Sequence, residues 1–272
     1  MLDLLTETVS LAIVASTPLL LAVEGELVVQ RSGIINLGIE GMMLVAAMCA
    51  VLGGPLGGIA GAAAVALIFG LFTITLRVDQ IVTGTAINLL AVGLTGFLYR
   101  ELNAHFAAPA KLGTDVVSVL AWIVLPIALA LLLWNTSFGL RLRACGENPE
   151  AVAAAGHSVM VHRWIALGIE ALLVGLAGTY LSLALSSGFA ENMTAGRGFI
   201  ALSIVIFGRW KVRGVFVGTA IFGLAAALQY ALQASNRGVP FHLLLAVPYV
   251  VTLLILCGVA GRVRAPDWLG KQ

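Results

Sequence analysis

Charge is scarce in this chain. Only 10% of its 272 residues are Asp, Glu, Lys or Arg, while 60% are apolar and the mean hydropathy is +1.05. Soluble domains carry about 25% charged residues, so no soluble domain fits anywhere in the chain. The net charge of +2 comes from scattered basic residues, which excludes a nucleic-acid surface. Cys49 and Cys257 lie in apolar runs and Cys145 in a polar stretch. They lack CxxC spacing, and neither a disulfide framework nor a metal site follows from them. The sequence also lacks G-x-x-x-x-G-K-[ST], H-E-x-x-H and G-x-S-x-G, so it cannot hydrolyse ATP by a phosphate-loop mechanism. Gly156-His157-Ser158 superficially resembles a nucleophile turn, but no base or carboxylate can be assigned beside it. His105, His157, His162 and His242 are scattered over loops and helix ends and read as surface or interfacial residues. No catalytic residue, metal or cofactor is expected. The N-terminal MLDLLTETVS is acidic where a signal peptide would be basic, and the expectation is an uncleaved first helix.

What is present is a string of apolar runs, at about 9–29, 41–52, 59–76, 81–98, 118–134, 164–186, 198–208, 214–234 and 242–260. They predict an all-α polytopic membrane protein forming one transmembrane domain over residues 1–272. About 8–10 transmembrane helices are expected, including short or broken ones. The runs at 41–52 and 198–208 fall short of the roughly 20 residues of a straight span. Each sits beside Gly-rich polar sequence, INLGIEG and AGRG, in comparable places in the two halves. That pattern fits an internal repeat with broken helices as well as it fits two ordinary helices with longer flanks. Counting crossings outward from the central polar stretch, Arg31, Arg77, Arg141, Arg143, Arg163, Arg209, Lys211, Arg213, Arg262, Arg264 and Lys271 gather on one side. Arg100, Lys111, Arg197 and Arg237 fall on the other. The positive-inside rule makes the larger group, with the 141–163 loop and the C-terminus, cytoplasmic, and puts the N-terminus outside if both short runs cross. Trp122, Trp134 and Trp164, at run ends, fit an interfacial belt.

The longest polar interruption, Arg141–Arg163, holds a helix start. Asn148 can cap it, Pro149 is preset for a first turn, and Glu150 faces the positive end. Gly146 and Glu147 precede the start, and Gly156 can stop the helix. A helix of about eight residues is unstable alone in water and needs a docking surface. Carboxylates within apolar runs cost at least about 2.5–3.5 kcal/mol near the bilayer centre, which draws attention to Glu24, Glu26, Glu40 and Glu170. Glu24 and Glu26 are expected to reach the interface near Arg31. Glu170 lies two turns past Arg163 and reads either as a path residue or as a buried partner of another helix. Asn36, Thr83, Thr85 and Asn88 bring neutral hydrogen-bonding groups that suit either a hydroxyl-rich solute or helix-to-helix bonding. Gly53, Gly57 and Gly61, and Gly214 and Gly218, recur at a spacing that suits close helix packing.

Several of these pieces together resemble the membrane permease subunits of bacterial ABC importers, in the family serving branched-chain amino acids, ribose-type sugars and nucleosides. The resemblance covers most of the chain. It is carried by Arg31–Met43 (RSGIINLGIEGMM), Val82–Leu90 (VTGTAINLL), Gly146-Glu147-Asn148-Pro149, Gly198–Leu202 (GFIAL) and Ile206–Trp210 (IFGRW). INLGIEGMM with IFGRW is most similar to the nucleoside or simple-sugar branch, which works with a basic-membrane-protein-type binding lipoprotein. The resemblance implies that Glu147–Gly156 is the coupling helix on an ATP-binding subunit present in two copies. It also implies a second permease chain, identical or paralogous, an extracytoplasmic binding protein and a bacterial inner-membrane location. Asn36, Glu40, Thr83, Asn88 and Glu170 become candidate path residues. The chain departs from the family at Lys211-Val212-Arg213-Gly214, where relatives tend to have an Asn-Pro-like turn, and at Glu170, where small or neutral residues are usual. It is also short for the branch, which implies one peripheral helix fewer. Two other functions remain open on the residues alone. One is a self-sufficient ion-coupled carrier using Glu170 or Glu24. The other is an intramembrane hydrolase or lipid-modifying enzyme.

Overall fold

The structure, a computed structural model, describes residues 2–102, 112–186, 188–234 and 264–271. The expected run 242–260 lies outside them, as do His105, Lys111, Arg237, His242, Cys257 and Arg262. The described chain is helical, with no strand among the described residues. The helices are α1 (Leu2–Arg31), α2 (Ile39–Gly70), α3 (Gln80–Leu102), α4 (Thr114–Val119), α5 (Leu125–Asn135), α6 (Ser137–Glu147), α7 (Pro149–Ala154), α8 (Val159–Tyr180), α9 (Arg197–Phe207) and α10 (Val212–Ala234). Wide π-turns extend α2 through Leu71–Thr75, join α4 to α5 through Leu120–Val124 and extend α8 through Leu181–Leu185. Among the described residues five stretches are long and apolar enough to cross a membrane by length and composition: Val9–Arg31, Ile39–Thr75 (broken at Gly53 and Gly54), Gln80–Glu101, Thr114–Asn135 and Val159–Leu185.

Burial ranks these helices. In α1 83% of the most apolar window is buried, against 22% in the α4–α5 span. The centre of the bundle is therefore α1 with α8 and α2, while α3 and α4–α5 present apolar faces outward. A helix apolar on every side has no amphipathic stripe to direct it, so small residues and buried polar groups decide where these helices touch.

The expected runs at 41–52 and 59–76 form one element that breaks at Gly53 and Gly54, where Gly54 has φ +65° and ψ −162°. Only glycine adopts that conformation readily. Beyond the break the chain folds back on itself. A Cβ at Gly57 would lie 2.5 Å from the Cys49 carbonyl oxygen, and one at Gly61 would lie 2.8 Å from Cys49 Sγ. Gly57 and Gly61 are thus packing glycines, as expected, whereas Gly53 belongs to the turn and has nothing within 4 Å of a built Cβ. The descending limb, residues 39–52, is about 21 Å long at 1.5 Å per residue, too short to span unless the chain before it contributes depth.

Two other expectations are corrected. Glu24 and Glu26 do not reach an interface beside Arg31; they are 1% and 0% exposed. Trp122 does not sit in a belt. Its Nε1 donates to Thr17 Oγ1 and its ring meets Phe216 edge-on, so it packs between α1 and α10. Trp134 carries the guanidinium groups of Arg31 and Arg143 over its ring, at 5.7 and 5.3 Å.

Candidate functional site: an unwound segment and its joint to α7

Residues 32–38, between α1 and α2, are not helical, yet most of them are buried. In an apolar surrounding each free backbone group must find a partner within the protein. Polar side chains from three helices supply those partners. Gln80 Oε1 accepts the Ile35 N–H at 2.7 Å, and Glu26 Oε1 accepts the Asn36 N–H at 3.3 Å. Asn36 Oδ1 accepts the Gly38 N–H at 2.9 Å. Asn88 does two jobs, donating from Nδ2 to the Leu37 carbonyl at 2.7 Å and accepting the Gly41 N–H on Oδ1 at 2.8 Å. Asn36 then donates from Nδ2 to Glu170 Oε2 at 2.9 Å. Glu170 lies about 10 Å along α8 from Arg163 by helical rise, so the unwound segment climbs to that depth before α2 begins. This climb supplies the length that residues 39–52 lack.

Glu26 and Glu170 are fully buried, and Asn36 bonds to both, its N–H to Glu26 Oε1 and its Nδ2 to Glu170 Oε2. Glu26 Oε1 also accepts from Gln30 Nε2 at 2.8 Å, and Gln30 Oε1 accepts from Trp210 Nε1 at 2.6 Å. No arginine or lysine pairs with either carboxyl among the described residues. Thr83 Oγ1 donates to the Asp79 carbonyl and Thr85 Oγ1 to that of Ile81, so both hydroxyls serve their own helix.

Glu40, in the first turn of α2, reaches across to the second short element. Its Oε1 accepts the Gly196 N–H at 2.8 Å and its Oε2 accepts the Gly198 N–H at 2.6 Å. The carboxylate thus occupies the start of α9, where free N–H groups and the helix dipole favour negative charge. Gly198 allows the approach, since a Cβ there would lie 2.6 Å from Glu40 Cα. Both short elements therefore begin at one place inside the bundle.

At the far end of the unwound segment lies the predicted coupling region. Asn148 Oδ1 caps α7 by accepting the Ala151 N–H at 3.0 Å, Pro149 opens the helix, and Gly156 follows it with φ +79°. The helix has six residues, shorter than the expected eight, and the preceding Arg141 and Arg143 belong to α6 rather than to a loop. Gly146 touches the start of the unwound segment, where a Cβ would lie 2.5 Å from the Arg31 carbonyl and 3.1 Å from Gly33 N. Arg31 donates from Nε to the Trp210 carbonyl at 2.8 Å and lies 3.9 Å from Glu147. A C-terminal strap, residues 264–271, closes this joint. Trp268 N–H donates to the Gly146 carbonyl at 2.8 Å, Gly270 N–H to the Gly33 carbonyl at 3.0 Å, and Asp267 N–H to Glu147 Oε2 at 3.4 Å. Glu150 is exposed. Ser158 caps α8 by accepting from Val161 N–H, which gives the Gly156-His157-Ser158 turn a structural role.

The structure thus brings Asn36, Asn88 and Glu170 to the unwound segment, places Glu40 alongside and leaves the Thr83 hydroxyl bonded to the Asp79 carbonyl. Sequence reasoning missed Gln80, Gln30, Trp210 and the strap. The first two are amides that directly flank apolar runs, Gln80 before 81–98 and Gln30 after 9–29. Nothing in the local pattern of Asp267-Trp268-Leu269-Gly270 signals its docking place.

Residues 8–256 match the family described as branched-chain amino acid transport system / permease component. The guanosine ABC transporter permease protein NupQ of Bacillus subtilis is 32% identical, over 97% of this chain and 95% of its own length. The nucleoside ABC transporter permease protein NupC of Lactococcus lactis is 31% identical, over 93% of this chain and 92% of its own. A putative glucose ABC transporter permease protein, TsgC13 of Haloferax volcanii, is 35% identical over 81% of this chain and 76% of its own. No solved structure matches.

Proposed function

The chain belongs to the branched-chain amino acid transport system permease family, as an ABC-transporter component rather than an enzyme, and from that premise we propose that it carries a nucleoside across the bacterial inner membrane. Support for the solute is the likeness, over nearly the whole chain, to relatives named for guanosine and nucleoside transport. A simple sugar is the second reading, favoured by the 35% identity to the putative glucose permease. The family implies an ATP-binding subunit and a substrate-binding protein. In our reading two ATP-binding subunits serve a pair of permease chains, identical or paralogous, each a single transmembrane domain. The end bearing α7, Arg77 and the strap is cytoplasmic, and the solute-binding protein docks on the opposite face.

One observation carries the mechanism: Gly146, three residues before α7, packs on Gly33, near the start of the unwound segment. In this reading Gly146–Glu150 with Gly156 form the coupling element. Displacement of α7 by a closing ATPase pair is passed through Gly146 and the strap to residues 32–38, which line the path. Asn36, Glu40, Asn88 and Glu170 set the segment's shape and Thr83 flanks it. Switching between two such arrangements requires that the ATPase bind them unequally.

The test is affinity purification in mild detergent with mass spectrometry of what accompanies the chain, together with uptake of labelled guanosine, uridine and glucose. A phosphate-loop ATPase and a second permease are expected, both lost with Glu147→Arg, along with nucleoside uptake. Recovery of this chain alone, where a known ABC complex survives the same extraction, overturns the subunit reading. Glucose uptake without nucleoside uptake overturns the solute.

A further inference from the structure

We propose that the cavity between α7, the end of the returning limb of α2 and the start of α8 is a binding site for the phosphate of a glycerophospholipid. The cavity is about 310 Å³, and Thr73, Arg77, Glu150, Met160, Arg163 and Trp268 are among the residues lining it. Its volume lies at the lower end of small-ligand pockets, which run from about 300 Å³.

Arg77, which is exposed, and Arg163, which is half-buried, line one space and make it positively charged. Arg77 and Arg163 are close enough for their charges to oppose one another, and neither has a carboxylate partner among the described ion pairs. Arg163 uses Nε on the Ser32 carbonyl at 3.3 Å. Glu150, the acidic residue on the wall, is exposed to solvent and pairs with neither arginine among the described residues. A phosphate diester offers oxygen acceptors to two guanidinium groups at once, the geometry arginine recognises best.

The surroundings select a lipid as the carrier of that phosphate. On the α2 side Leu71, Phe72 and Leu76 are exposed, and on the α8 side so are Met160, Val161 and Ile165. These faces belong to two of the membrane-crossing stretches, Ile39–Thr75 and Val159–Leu185, or directly adjoin one of them. Acyl chains can lie along them while the headgroup enters beneath α7. The Trp268 indole on the cavity wall has the amphipathic character that favours the headgroup level of a bilayer. Basic pockets between helices at a membrane surface take lipid headgroups for these reasons. The site goes beyond the transport reading, because it needs only that this end of the bundle meet a bilayer surface.

The test is native mass spectrometry of the purified protein with whatever subunits accompany it, delipidated and titrated with dioleoylphosphatidylglycerol. One tightly held lipid per copy of this chain is expected. Arg77→Gln should weaken it at least about tenfold, the scale of one lost charge-assisted contact, and Arg77→Lys should retain most of it. Met160→Trp, which fills the cavity mouth and leaves both arginines, should remove it without changing which subunits accompany the chain. Equal lipid retention in wild type, Arg77→Gln and Met160→Trp overturns the proposal. So does loss of an accompanying subunit in Arg77→Gln at unchanged lipid count, which would assign the cavity to an acidic side chain of that subunit.

Discussion

Glu40→Ala tests whether the two short elements are held together by one carboxylate. In the native protein Glu40 is 5% exposed, and its two oxygens accept the N–H groups of Gly196 and Gly198 at 2.8 and 2.6 Å. Alanine leaves both donors without an acceptor in a buried place, at about 1–3 kcal/mol each. It also removes a negative charge from the start of α9, worth about 0.3–2 kcal/mol. The sum is about 2–8 kcal/mol, or a fall in melting temperature of at least about 4 °C at roughly 2–4 °C per kcal/mol. Glu40→Gln keeps the shape and one acceptor but turns an N–H donor toward the other glycine, so about half the loss is expected. The assay is tryptophan fluorescence of the detergent-purified protein during heating, with solute uptake in cells alongside. Melting within about 2 °C of wild type for both variants, with unchanged uptake, would refute the reasoning and reduce the contact to incidental proximity.

Asn88→Leu removes the partners of the Gly41 N–H and the Leu37 carbonyl, at about 2–6 kcal/mol for two unmet backbone groups. Uptake should fall steeply while membrane insertion, read by protease mapping, is retained. Gly146→Ala forces a methyl to within 2.5 Å of the Arg31 carbonyl oxygen. Overpacking of this kind costs about 1–3 kcal/mol, and the expected phenotype is ATP hydrolysis that no longer responds to solute. Removal of residues 264–271 should give the same uncoupling, measured as basal against stimulated ATPase rate, through loss of the bonds to Gly33 and Gly146. Burial pushes the Cys145 thiol above its ordinary pKa and leaves it no exposed surface. With Cys49 and Cys257 replaced by alanine, maleimide labelling at neutral pH should therefore be slow and should quicken with Gly146→Ala. Equal rates would show that the joint does not open.

Legibility followed the physical reach of each signal. The apolar runs marked the helices because burial in lipid needs only length and hydropathy, and the Asn148-Pro149 cap marked α7 because a helix start is a local event. INLGIEG fitted a broken helix and an ordinary helix with a longer flank equally well, and only the packed bundle, with residues 32–38 unwound, separates the two. The destination of Glu26 was misread: proximity to Arg31 in sequence suggested an interface, whereas the backbone of residue 36, folded back along α1, claims the carboxylate. Asn88 and Glu170 were singled out as polar groups in apolar runs, but their partners lie 47 and 134 residues away, on backbone and side chains whose positions only the packed bundle supplies. The strap was illegible for the same reason.

The long reach of those bonds has a consequence for how the protein is made. The ribosome delivers α1 and residues 32–38 first, yet the groups that neutralise their polar atoms arrive 45 residues later with Gln80, 51 later with Asn88 and 134 later with Glu170. Glu26 has local partners in Gln30 and Asn36, but until α3 emerges the Ile35 N–H and the Leu37 carbonyl lack theirs, and until α8 emerges the Asn36 amide lacks Glu170, so the expected outcome is that the first helix stays beside the insertion machinery while more than half the chain is synthesised. Photocrosslinking of nascent chains would register this as contact between residue 26 and the translocation channel that persists in truncations ending before Glu170 and disappears in longer ones. Assembly order, as well as the finished fold, is thereby written into where the acids and amides fall along the polypeptide.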